Sequence, residues 1–403
     1  MTGDGLGAVG RHAPCGIDSR DVTGSSPHFE VHARDGEARL SVLTTRSGSV
    51  DLPAFMPVGT AAAVKALSPA EVREAGFDLV LANTYHLMLR PSVDVVERAG
   101  GIARFMSWHG PVLTDSGGYQ VFSLASRCKV SEEGVRFQSH IDGAPLSLSP
   151  EEACTVQHRL GTDVAMALDV CPPGGAGVDE IASACSRTTR WLDRALGARR
   201  EGGPLLFGIV QGGVDEARRL AHLEEVASRP VDGLALGGLS VGEDMDLTRS
   251  MVSLAAPRMD ADRPRYLMGM GTPEDILHAV GSGIDLFDCV LPTRNARNGQ
   301  VFTSRGRYSI KWSCWREDPD PLDPECGCPV CRTFDRRYLR HLFVAGEMLS
   351  ARLLTLHNLA YYGSFMRSIR DAIRGGRFDQ LRGAMLDGYA GGPGGQPDRG
   401  GAG

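Results

Sequence analysis

The sequence predicts an α/β protein in which eight parallel strands close into a (β/α)8 barrel, the TIM-barrel fold. Three observations favour it: 403 residues suit a large single domain, short apolar segments alternate with amphipathic ones, and eight buried strands complete a barrel. The strands are predicted at residues 55–58, 78–81, 112–114, 164–168, 205–210, 233–236, 266–268 and 284–287. An open, doubly wound sheet is the alternative that this alternation also allows.

The predicted helices follow from capping signals and from apolar residues at helical spacing. The first begins at Ser68-Pro-Ala-Glu71, a capping-box pattern, and the others show the helical period. They are predicted at residues 68–75, 150–160, 179–196, 215–228 and 272–280. Near the N-terminus, residues 41–50 alternate like an antiparallel strand pair, which we expect to cover the bottom of the barrel.

The barrel pattern breaks after the eighth strand. Residues 301–311 predict a hairpin in place of the eighth helix, and helical stretches follow only at 338–357 and 359–374. A small subdomain, at about residues 301–360, is therefore predicted to be inserted before the last barrel helix. We expect one domain over residues 28–390, a disordered tail at 1–27 and a flexible Gly-rich tail at 391–403.

The composition predicts a cytoplasmic protein with no membrane segment. No apolar run reaches the roughly 18–20 residues that span a bilayer, and the N-terminus lacks the apolar core of a secretion signal. Ten cysteines without such a signal indicate a reducing compartment. The net charge is −6, yet residues 289–382 hold 16 Lys and Arg against 9 Asp and Glu, a basic lobe that suits an anionic partner.

The cysteine cluster in the predicted insertion is typical of a metal site. In Cys326-Gly-Cys328-Pro-Val-Cys331 three thiols follow one another closely, and His357 comes later in a helical context. Three thiolates and one imidazole make the closed tetrahedral shell of a structural Zn²⁺. We therefore predict one structural zinc ion on Cys326, Cys328, Cys331 and His357, with His341 as the alternative fourth ligand.

Polar residues and glycines follow the predicted strands, whose carboxyl ends meet at one mouth of a barrel. They are Asn83, Asp115, Asp169, Gln211, Gly238, Gly269 and Asp288. A single aspartate in such a place is often a helix cap or a turn residue. Three from separate strands indicate a catalytic centre, because barrel enzymes place their chemistry at this end. Asp288, flanked by apolar residues, suits nucleophilic attack at a glycosidic carbon.

The residue types at this mouth suit a flat base with a guanine-like edge. A carboxylate such as Asp169 accepts two neighbouring N–H groups, while the Gln211 amide and the Gly238 backbone donate to a carbonyl oxygen. After Asp115, the segment 116–119 (Ser-Gly-Gly-Tyr) lets the backbone approach a ligand and offers a ring for stacking.

The segment 269–275 follows the seventh strand and begins a helix with a threonine cap and a proline at its first position. It is not a dinucleotide-binding fingerprint, because Glu274 stands where the third glycine belongs. This helix N-terminus is either a phosphate site or simply a well-capped structural helix.

With these motifs the chain resembles the bacterial tRNA-guanine transglycosylases of the queuine tRNA-ribosyltransferase family, from about residue 29 to 381. The matching motifs are Asn83-Thr-Tyr-His-Leu, Leu113-Thr-Asp-Ser-Gly-Gly-Tyr-Gln-Val-Phe-Ser-Leu124, Gly208-Ile-Val-Gln-Gly-Gly, Leu234-Ala-Leu-Gly-Gly-Leu, Phe287-Asp-Cys-Val-Leu-Pro-Thr-Arg and the zinc quartet. The resemblance implies a pentosyltransferase of queuosine synthesis. It would exchange the wobble guanine of GUN-anticodon tRNAs (Asp, Asn, His and Tyr) for 7-aminomethyl-7-deazaguanine through a covalent enzyme–RNA intermediate.

The resemblance also implies a homodimer, no cofactor in the reaction itself, and a role for each matching residue. Asp288 would be the nucleophile and Asp115 the general acid/base. The base would be bound by Ser116, Gly117, Gly118, Tyr119, Asp169, Gln211, Gly238, Leu239 and Met268. The RNA would be bound by Gly269, Met270, Gly271, Thr272, Pro273, Glu274, Asp275, Thr293, Arg294, Asn295, Ala296 and Arg297.

The chain departs from the family pattern at Val170, which replaces a common acid and so weakens the expected contact to the aminomethyl group. Cys171 and Val241 favour the bacterial type over the queuine-using eukaryotic type. Three other functions remain open: an archaeosine-type or DNA-modifying transglycosylase, a non-catalytic tRNA-binding subunit, and a barrel glycosidase acting on sugars. Retention of Asp115 and Asp288 disfavours the subunit, and the zinc motif disfavours the glycosidase.

Overall fold

The computed structural model describes residues 28–119 and 128–392. The predicted tail at 1–27, all but the first two residues of the predicted tail at 391–403, and the Gln120–Leu124 end of one motif lie outside the described residues. The strands are β1 (Phe29–Asp35), β2 (Ala38–Thr45), β3 (Gly48–Leu52), β4 (Ala54–Pro57), β5 (Val80–Ala82), β6 (Val112–Thr114), β7 (Cys128–Val130), β8 (Val135–Gln138), β9 (Pro145–Leu148), β10 (Val164–Met166), β11 (Leu205–Val210), β12 (Gly233–Leu236), β13 (Arg265–Leu267), β14 (Leu286–Cys289), β15 (Gln300–Thr303) and β16 (Gly306–Ser309).

The α-helices of the described residues lie mostly between and after these strands. They are α1 (Pro69–Glu74), α2 (Thr84–Leu89), α3 (Val93–Arg98), α4 (Ile102–Phe105), α5 (Pro150–Leu160), α6 (Val178–Ala198), α7 (Glu216–Ala227), α8 (Met245–Ala255), α9 (Pro273–Gly281), α10 (Leu291–Arg297), α11 (Pro329–Thr333), α12 (Arg336–Val344), α13 (Met348–Arg374) and α14 (Phe378–Ala390). Within the part of the chain described, none of them is long and apolar enough to cross a bilayer.

Eight parallel strands form the predicted barrel, and each pairs with its neighbours in chain order. The sheet runs β4-β14-β13-β12-β11-β10-β6-β5, and a parallel bridge between Val58 and Leu81 joins its two edges. Gly59 N, which donates to the carbonyl of Leu81 at 2.6 Å, continues this closure. The barrel prediction is therefore confirmed, and the open doubly wound sheet is excluded.

The sheet β1-β2-β3 lies across the amino ends of the barrel strands. Arg39 of β2 donates to Asp285, just before β14, in an ion pair with no solvent exposure. Asp163, just before β10, accepts hydrogen bonds from Ser47 N at 3.1 Å and Val112 N at 2.9 Å. The expected strand pair over 41–50 is therefore part of a three-stranded sheet that covers the barrel bottom.

The insertion after β14 is present, but its helices divide differently from the prediction. The predicted break at Asn358 is wrong, because Asn358 lies inside α13 and its side chain accepts from Phe302 N at 3.1 Å. The break falls instead between α12 and α13, where Gly346 takes φ +74°. The second half of α13 then packs its Tyr362 ring on Phe55 of β4, with centroids 5.0 Å apart. This helix therefore closes the barrel after the inserted hairpin and cysteine cluster.

The antiparallel sheet β7-β8-β9, between β6 and α5, was not predicted. Its strands are three or four residues long and contain Lys129, Arg136 and Gln138, so no buried apolar run marks them. One face carries Val135, Phe137 and neighbouring apolar residues into a small core at the barrel rim. This sheet stands beside the mouth and extends its wall.

Candidate active site and metal cluster

The carboxyl ends of the strands bring the predicted polar residues to one mouth. Asn83, Asp115, Asp169, Gln211, Gly238 and Gly269 come shortly after β5, β6, β10, β11, β12 and β13, and Asp288 lies within β14. Asp115 and Asp288 are close enough that the charge of Asp288 contributes to raising the pKa of Asp115. Two carboxylates therefore lie near each other at this mouth.

Asp115 is almost fully buried and is held by neutral donors. Its Oδ1 accepts from Thr84 N at 2.9 Å and from Gly117 N at 3.2 Å, and its Oδ2 accepts from the Asn83 amide. Burial raises the pKa of Asp115 to about 6, although the Asn83 hydrogen bond lowers it. A carboxyl with such a pKa can both donate and accept a proton near neutral pH. Asn83 was noted at its strand end but was not assigned a role.

Asp169 is the second buried carboxylate with neutral partners. It accepts from Gln211 Nε2 at 2.6 Å and from Ser116 Oγ at 3.4 Å. Burial raises the pKa of Asp169 to about 6. The other amide atom, Gln211 Oε1, is buried and has no hydrogen-bond partner within the described residues. Since buried polar atoms normally have partners, this orphaned oxygen marks a place for a ligand group.

Asp288 receives both of its hydrogen bonds at one oxygen. Tyr266 OH donates to Oδ1 at 2.6 Å, and Gly269 N donates to the same atom at 2.8 Å. No described residue donates to Oδ2, so this oxygen is available for bond formation. Burial raises the pKa of Asp288. Sequence reasoning missed Tyr266, although strand alternation places its side chain on the same face as Met268.

The loop after β12 packs directly against Gln211. Gly238 takes φ +61°, and a Cβ at this position would lie 2.1 Å from Gln211 Oε1. Leu239 follows and is buried. The loops after β11 and β12 both contact the buried side chain of Arg219, through Gly213 and Gly238. The sequence did not predict this contact, because charged residues of helices are usually exposed.

The two residues predicted to stack on a base stand at different depths of the mouth. Tyr119 is 53% exposed at the rim, and Met268 is half-buried against the core inside the barrel. Between Tyr119 and Asp115, Gly118 approaches so closely that a Cβ there would lie 3.2 Å from the carbonyl of Asp169. The backbone at this wall is therefore packed against the Asp169 segment more closely than a side chain at 118 would readily allow.

The predicted RNA segment 269–275 is largely internal. Met270, Pro273 and Asp275 are buried, and Thr272 caps α9 by accepting from Asp275 N at 3.2 Å. Gly271 fits against Cys289, only 2.3 Å from where its Cβ would be. Glu274 and Thr272 are half-buried, and only Gly269 is exposed. The capped-helix alternative thus accounts for most of this segment.

The second predicted RNA segment forms most of helix α10 and presents only its arginines to solvent. Thr293 and Ala296 are buried, Asn295 is half-buried, and Arg294 and Arg297 are exposed. Arg297 Nη1 donates to the carbonyl of Thr293 at 2.8 Å, which holds its side chain along the helix. Since α10 follows β14 directly, both arginines stand close to the mouth.

Cys326, Cys328, Cys331 and His357 come together as predicted. Their ligand atoms all lie within 4.8 Å of one another. His357 Nε2 lies 2.9 Å from the carbonyl of Phe302, so it donates there and leaves Nδ1 for a metal. His341 lies on the exposed side of α12 and is not part of the group. The set of three sulfurs and one nitrogen fits a tetrahedral ion.

A closed parallel barrel with three aspartates at its mouth, Asp115 and Asp169 buried and Asp288 half-buried, defines a TIM-barrel enzyme whose chemistry depends on carboxylates. Comparison with known proteins identifies the family. The family model described as queuine tRNA-ribosyltransferase matches residues 35–391. The chain therefore belongs to the queuine tRNA-ribosyltransferase family, and it is a pentosyltransferase of the tRNA-guanine transglycosylase type in queuosine synthesis.

Full-length relatives agree with this assignment. A queuine tRNA-ribosyltransferase from Sorangium cellulosum is 54% identical over 359 residues, which cover 89% of this chain and 91% of the relative. One from Solidesulfovibrio magneticus is 50% identical, with 89% and 96% covered. One from Sphingopyxis alaskensis is 48% identical, with 88% and 96% covered. The resemblance drawn from the sequence motifs is confirmed.

Proposed function

We propose that this enzyme exchanges the wobble guanine of GUN-anticodon tRNAs for 7-aminomethyl-7-deazaguanine by double displacement. The observation that carries the proposal is the pair of carboxylates at the mouth, buried Asp115 and half-buried Asp288, beside the amide-and-carboxylate surface of Asp169 and Gln211. The target nucleotide must leave its stack to reach this mouth. GUN anticodons belong to the tRNAs for Asp, Asn, His and Tyr, and such a substrate places the reaction in the cytoplasm.

In the first half-reaction, Asp288 Oδ2 attacks C1′ of the wobble nucleotide. The C1′–N9 bond breaks, an ester forms between Asp288 and the ribose, and protonated Asp115 donates a proton to the leaving guanine. The hydrogen bonds from Tyr266 and Gly269 to Oδ1 fix the carboxylate and direct Oδ2 toward the sugar. Guanine leaves as the neutral base.

In the second half-reaction, the incoming base is deprotonated at N9 by the Asp115 carboxylate and attacks C1′. The ester bond breaks, Asp288 is regenerated, and two inversions retain the configuration. Asp115 thus acts first as acid and then as base, which suits a group whose pKa is raised to about 6. The reaction consumes no cofactor, because one C1′–N9 bond is broken and an equivalent one is formed with no net change in oxidation state.

The base is read by the groups around Asp169. Its carboxylate accepts N1–H and the exocyclic amine, while the second Gln211 amide hydrogen and the Gly238 N–H serve O6. Ser116, Gly117 and Gly118 form the wall beside it. Tyr119 and Met268 enclose the ring from its two faces. The carbonyl of Leu239 accepts from the aminomethyl group.

The parts outside the mouth bind RNA and stabilise the structure. Arg294 and Arg297 are exposed and contact phosphates of the anticodon loop, and the exposed Gly269 lies against the RNA backbone. The cysteine and histidine cluster holds one structural Zn²⁺, with His357 oriented by the carbonyl of Phe302. When bound, this ion supplies folding free energy rather than catalysis. The enzyme acts as a homodimer.

Incorporation of radiolabelled guanine into a GUN-anticodon transcript tests the exchange. We expect the wild type to incorporate label and Asp288→Asn to incorporate none, while Asp262→Asn, in an exposed loop remote from the mouth, behaves as the wild type. No incorporation by a folded, zinc-loaded wild type would contradict the proposal and favour the non-catalytic or other-polymer alternatives.

Two further measurements address the intermediate and the incoming base. The covalent species is expected as an enzyme–RNA band that survives denaturing electrophoresis and disappears when excess guanine is added. Competition between labelled guanine and 7-aminomethyl-7-deazaguanine, queuine or guanine ranks the bases. Tighter competition by queuine than by the aminomethyl base would overturn the assignment of the substrate.

A further inference from the structure

Arg219 of helix α7 is fully buried, and its hydrogen-bond partners among the described residues are all backbone carbonyls. Its Nε and Nη2 donate to Gly213 O at 3.0 and 2.7 Å, and its Nη1 donates to Gly237 O at 3.0 Å and to Val210 O at 3.3 Å. Nη2 also reaches Gly238 O at 3.4 Å. The guanidinium thus bridges the segments that end β11 and β12.

This guanidinium lacks an ionic partner. Among the described residues no carboxylate forms an ion pair with Arg219, and burial lowers its pKa to about 10. Removing an arginine from water without a counter-ion is unfavourable. The cost is offset by the four carbonyls, whose orientation the guanidinium fixes.

The fixed carbonyls determine where the opposite N–H groups point. In a trans peptide the carbonyl and the following N–H point in opposite directions. Since Gly237 O and Gly238 O face Arg219, the N–H groups of Gly238 and Leu239 are directed away from it. The left-handed conformations of Gly213 (φ +54°) and Gly238 (φ +61°) make this arrangement of carbonyls accessible.

The same helix also holds the other base-contacting segment. Gln211 N donates to His222 Nδ1 at 2.8 Å, one turn along α7 from Arg219. Gly212 lies so close to the helix that a Cβ would be 2.6 Å from Arg219 Cα. Helix α7 therefore sets the position of Gln211 and, through Arg219, adds to the hydrogen bond from Gly237 N to Val210 O that also joins the two segments.

We propose that Arg219 is a positioning residue that locks the segments 211–213 and 237–239 in one relative orientation and thereby sets the affinity of the enzyme for the purine base. The proposal rests on the proposed function, in which Gln211, Gly238 and Leu239 contact that base. Arg219 does not touch the base itself. Its effect is on base recognition and not on the RNA chain or on Asp288.

The test compares Arg219→Lys and Arg219→Met with Arg218→Met, which changes the half-buried neighbour on the same helix. A lysine ammonium keeps the charge but is too compact to bridge all the carbonyls that the planar fork reaches. We expect Arg219→Lys to raise the KM for guanine on the order of tenfold, equivalent to about 1.4 kcal/mol. The KM for tRNA should rise less than the KM for guanine, because contacts outside the mouth also hold the RNA, and the zinc content should not change.

Equilibrium dialysis of labelled guanine against the tRNA-free enzyme gives a second readout that does not depend on turnover. The dissociation constant for guanine should rise in both Arg219 variants and stay unchanged in Arg218→Met. Arg219→Met is also expected to unfold at a lower temperature, since it leaves carbonyls without donors. If Arg219→Met does not fold, the measurements on Arg219→Lys alone test the positioning role.

The outcomes separate this proposal from the proposed function. A wild type that neither binds nor exchanges guanine contradicts the proposed function. A wild type that does both, with a folded Arg219→Lys that binds guanine equally well, overturns the positioning role alone. A fall in kcat with both KM values unchanged would overturn it too, because loss of folded enzyme has that signature.

Discussion

Substitution of Asn83 by alanine is expected to move the pH dependence of guanine exchange. The Asn83 amide donates to Asp115 Oδ2 and favours the carboxylate form, against the burial that raises the pKa of Asp115 to about 6. Without this donor the carboxylate is less stable, so the pKa of Asp115 rises further. Attack by an incoming base needs the Asp115 carboxylate, and kcat/KM for guanine is therefore lost as the pH falls through this pKa.

The size of the shift follows from the strength of one hydrogen bond. A hydrogen bond to a charged group contributes about 1.5–3 kcal/mol, and one pKa unit corresponds to about 1.4 kcal/mol. Removing the Asn83 donor should therefore raise the pKa of Asp115 by about one to two units. The pH below which protonation of Asp115 lowers kcat/KM for guanine, here called the Asp115 limb, is therefore expected to move from about 6 to between roughly 7 and 8.

The assay must separate Asp115 from Asp169, because burial raises the pKa of both to about 6. In the wild type both carboxylates are needed, so kcat/KM for guanine should fall with a slope approaching two below that pH. In Asn83→Ala only the pKa of Asp115 moves, so the fall of kcat/KM for guanine with decreasing pH should divide into two steps. Ser116→Ala, which removes a donor from Asp169 instead, should leave the Asp115 limb in place.

Two results would refute this reasoning. One is a folded Asn83→Ala enzyme whose two limbs still coincide near their wild-type position, since Asp115 would then not be the group that accepts the proton. The other is a downward shift of the limb, which would mean that the Asn83 amide does not favour the carboxylate.

Four further predictions concern stability, the base, the metal and the RNA. Asp115→Asn should abolish exchange yet raise the unfolding temperature at pH 8. The pKa of this buried carboxyl is higher in the folded than in the unfolded chain, so the wild type loses stability as the pH rises from about 4 to 6. The loss is on the order of 3 kcal/mol, and the asparagine does not incur it. Unfolding of both proteins at pH 8 and pH 4 checks this, with the difference absent at pH 4. Gly238→Ala should raise the KM for guanine by about tenfold or more and weaken tRNA binding less, because its methyl group would overlap a buried amide oxygen of the base site; an unchanged KM would contradict the close contact. His357→Asn should lose zinc by atomic absorption and unfold at a lower temperature, whereas His341→Asn should keep one zinc per chain. Arg294→Ala should weaken tRNA binding and lower the slope of log Kd against log salt by about one, with the KM for guanine unchanged.

The sequence was sufficient to predict the barrel and its polar mouth because both depend on local patterns. A run such as Leu205–Val210 is apolar throughout because its strand is buried on both faces. The aspartates follow from their position after such strands. The metal site also follows from the short spacing of its three cysteines. The choice of His357 over His341 as the fourth ligand, however, required the fold.

The missed features depend on contacts between residues far apart in the chain. Nothing in the pair Arg218-Arg219 indicates that one guanidinium is buried, because its partners are carbonyls of two loops that meet only in the folded barrel. Tyr266 is similar: a strand tyrosine is unremarkable until Asp288, from the next strand, places a carboxylate against its hydroxyl. The sheet β7-β8-β9 was missed because its strands are short and half polar.

The three aspartates at the mouth have neutral donors instead of cations as partners, and this difference has chemical consequences. Asp115 is held by amides, Asp169 by an amide and a hydroxyl, and Asp288 by a phenol and a backbone N–H. At the other end of the barrel, Asp285 is paired with the Arg39 guanidinium. A guanidinium beside Asp288 would stabilise its negative charge and oppose its attack on the ribose, and beside Asp115 it would hold the pKa too low for a proton donor. Neutral donors orient each carboxylate and leave it free to form a bond or to exchange a proton, so the partner of each aspartate matches the role proposed for it.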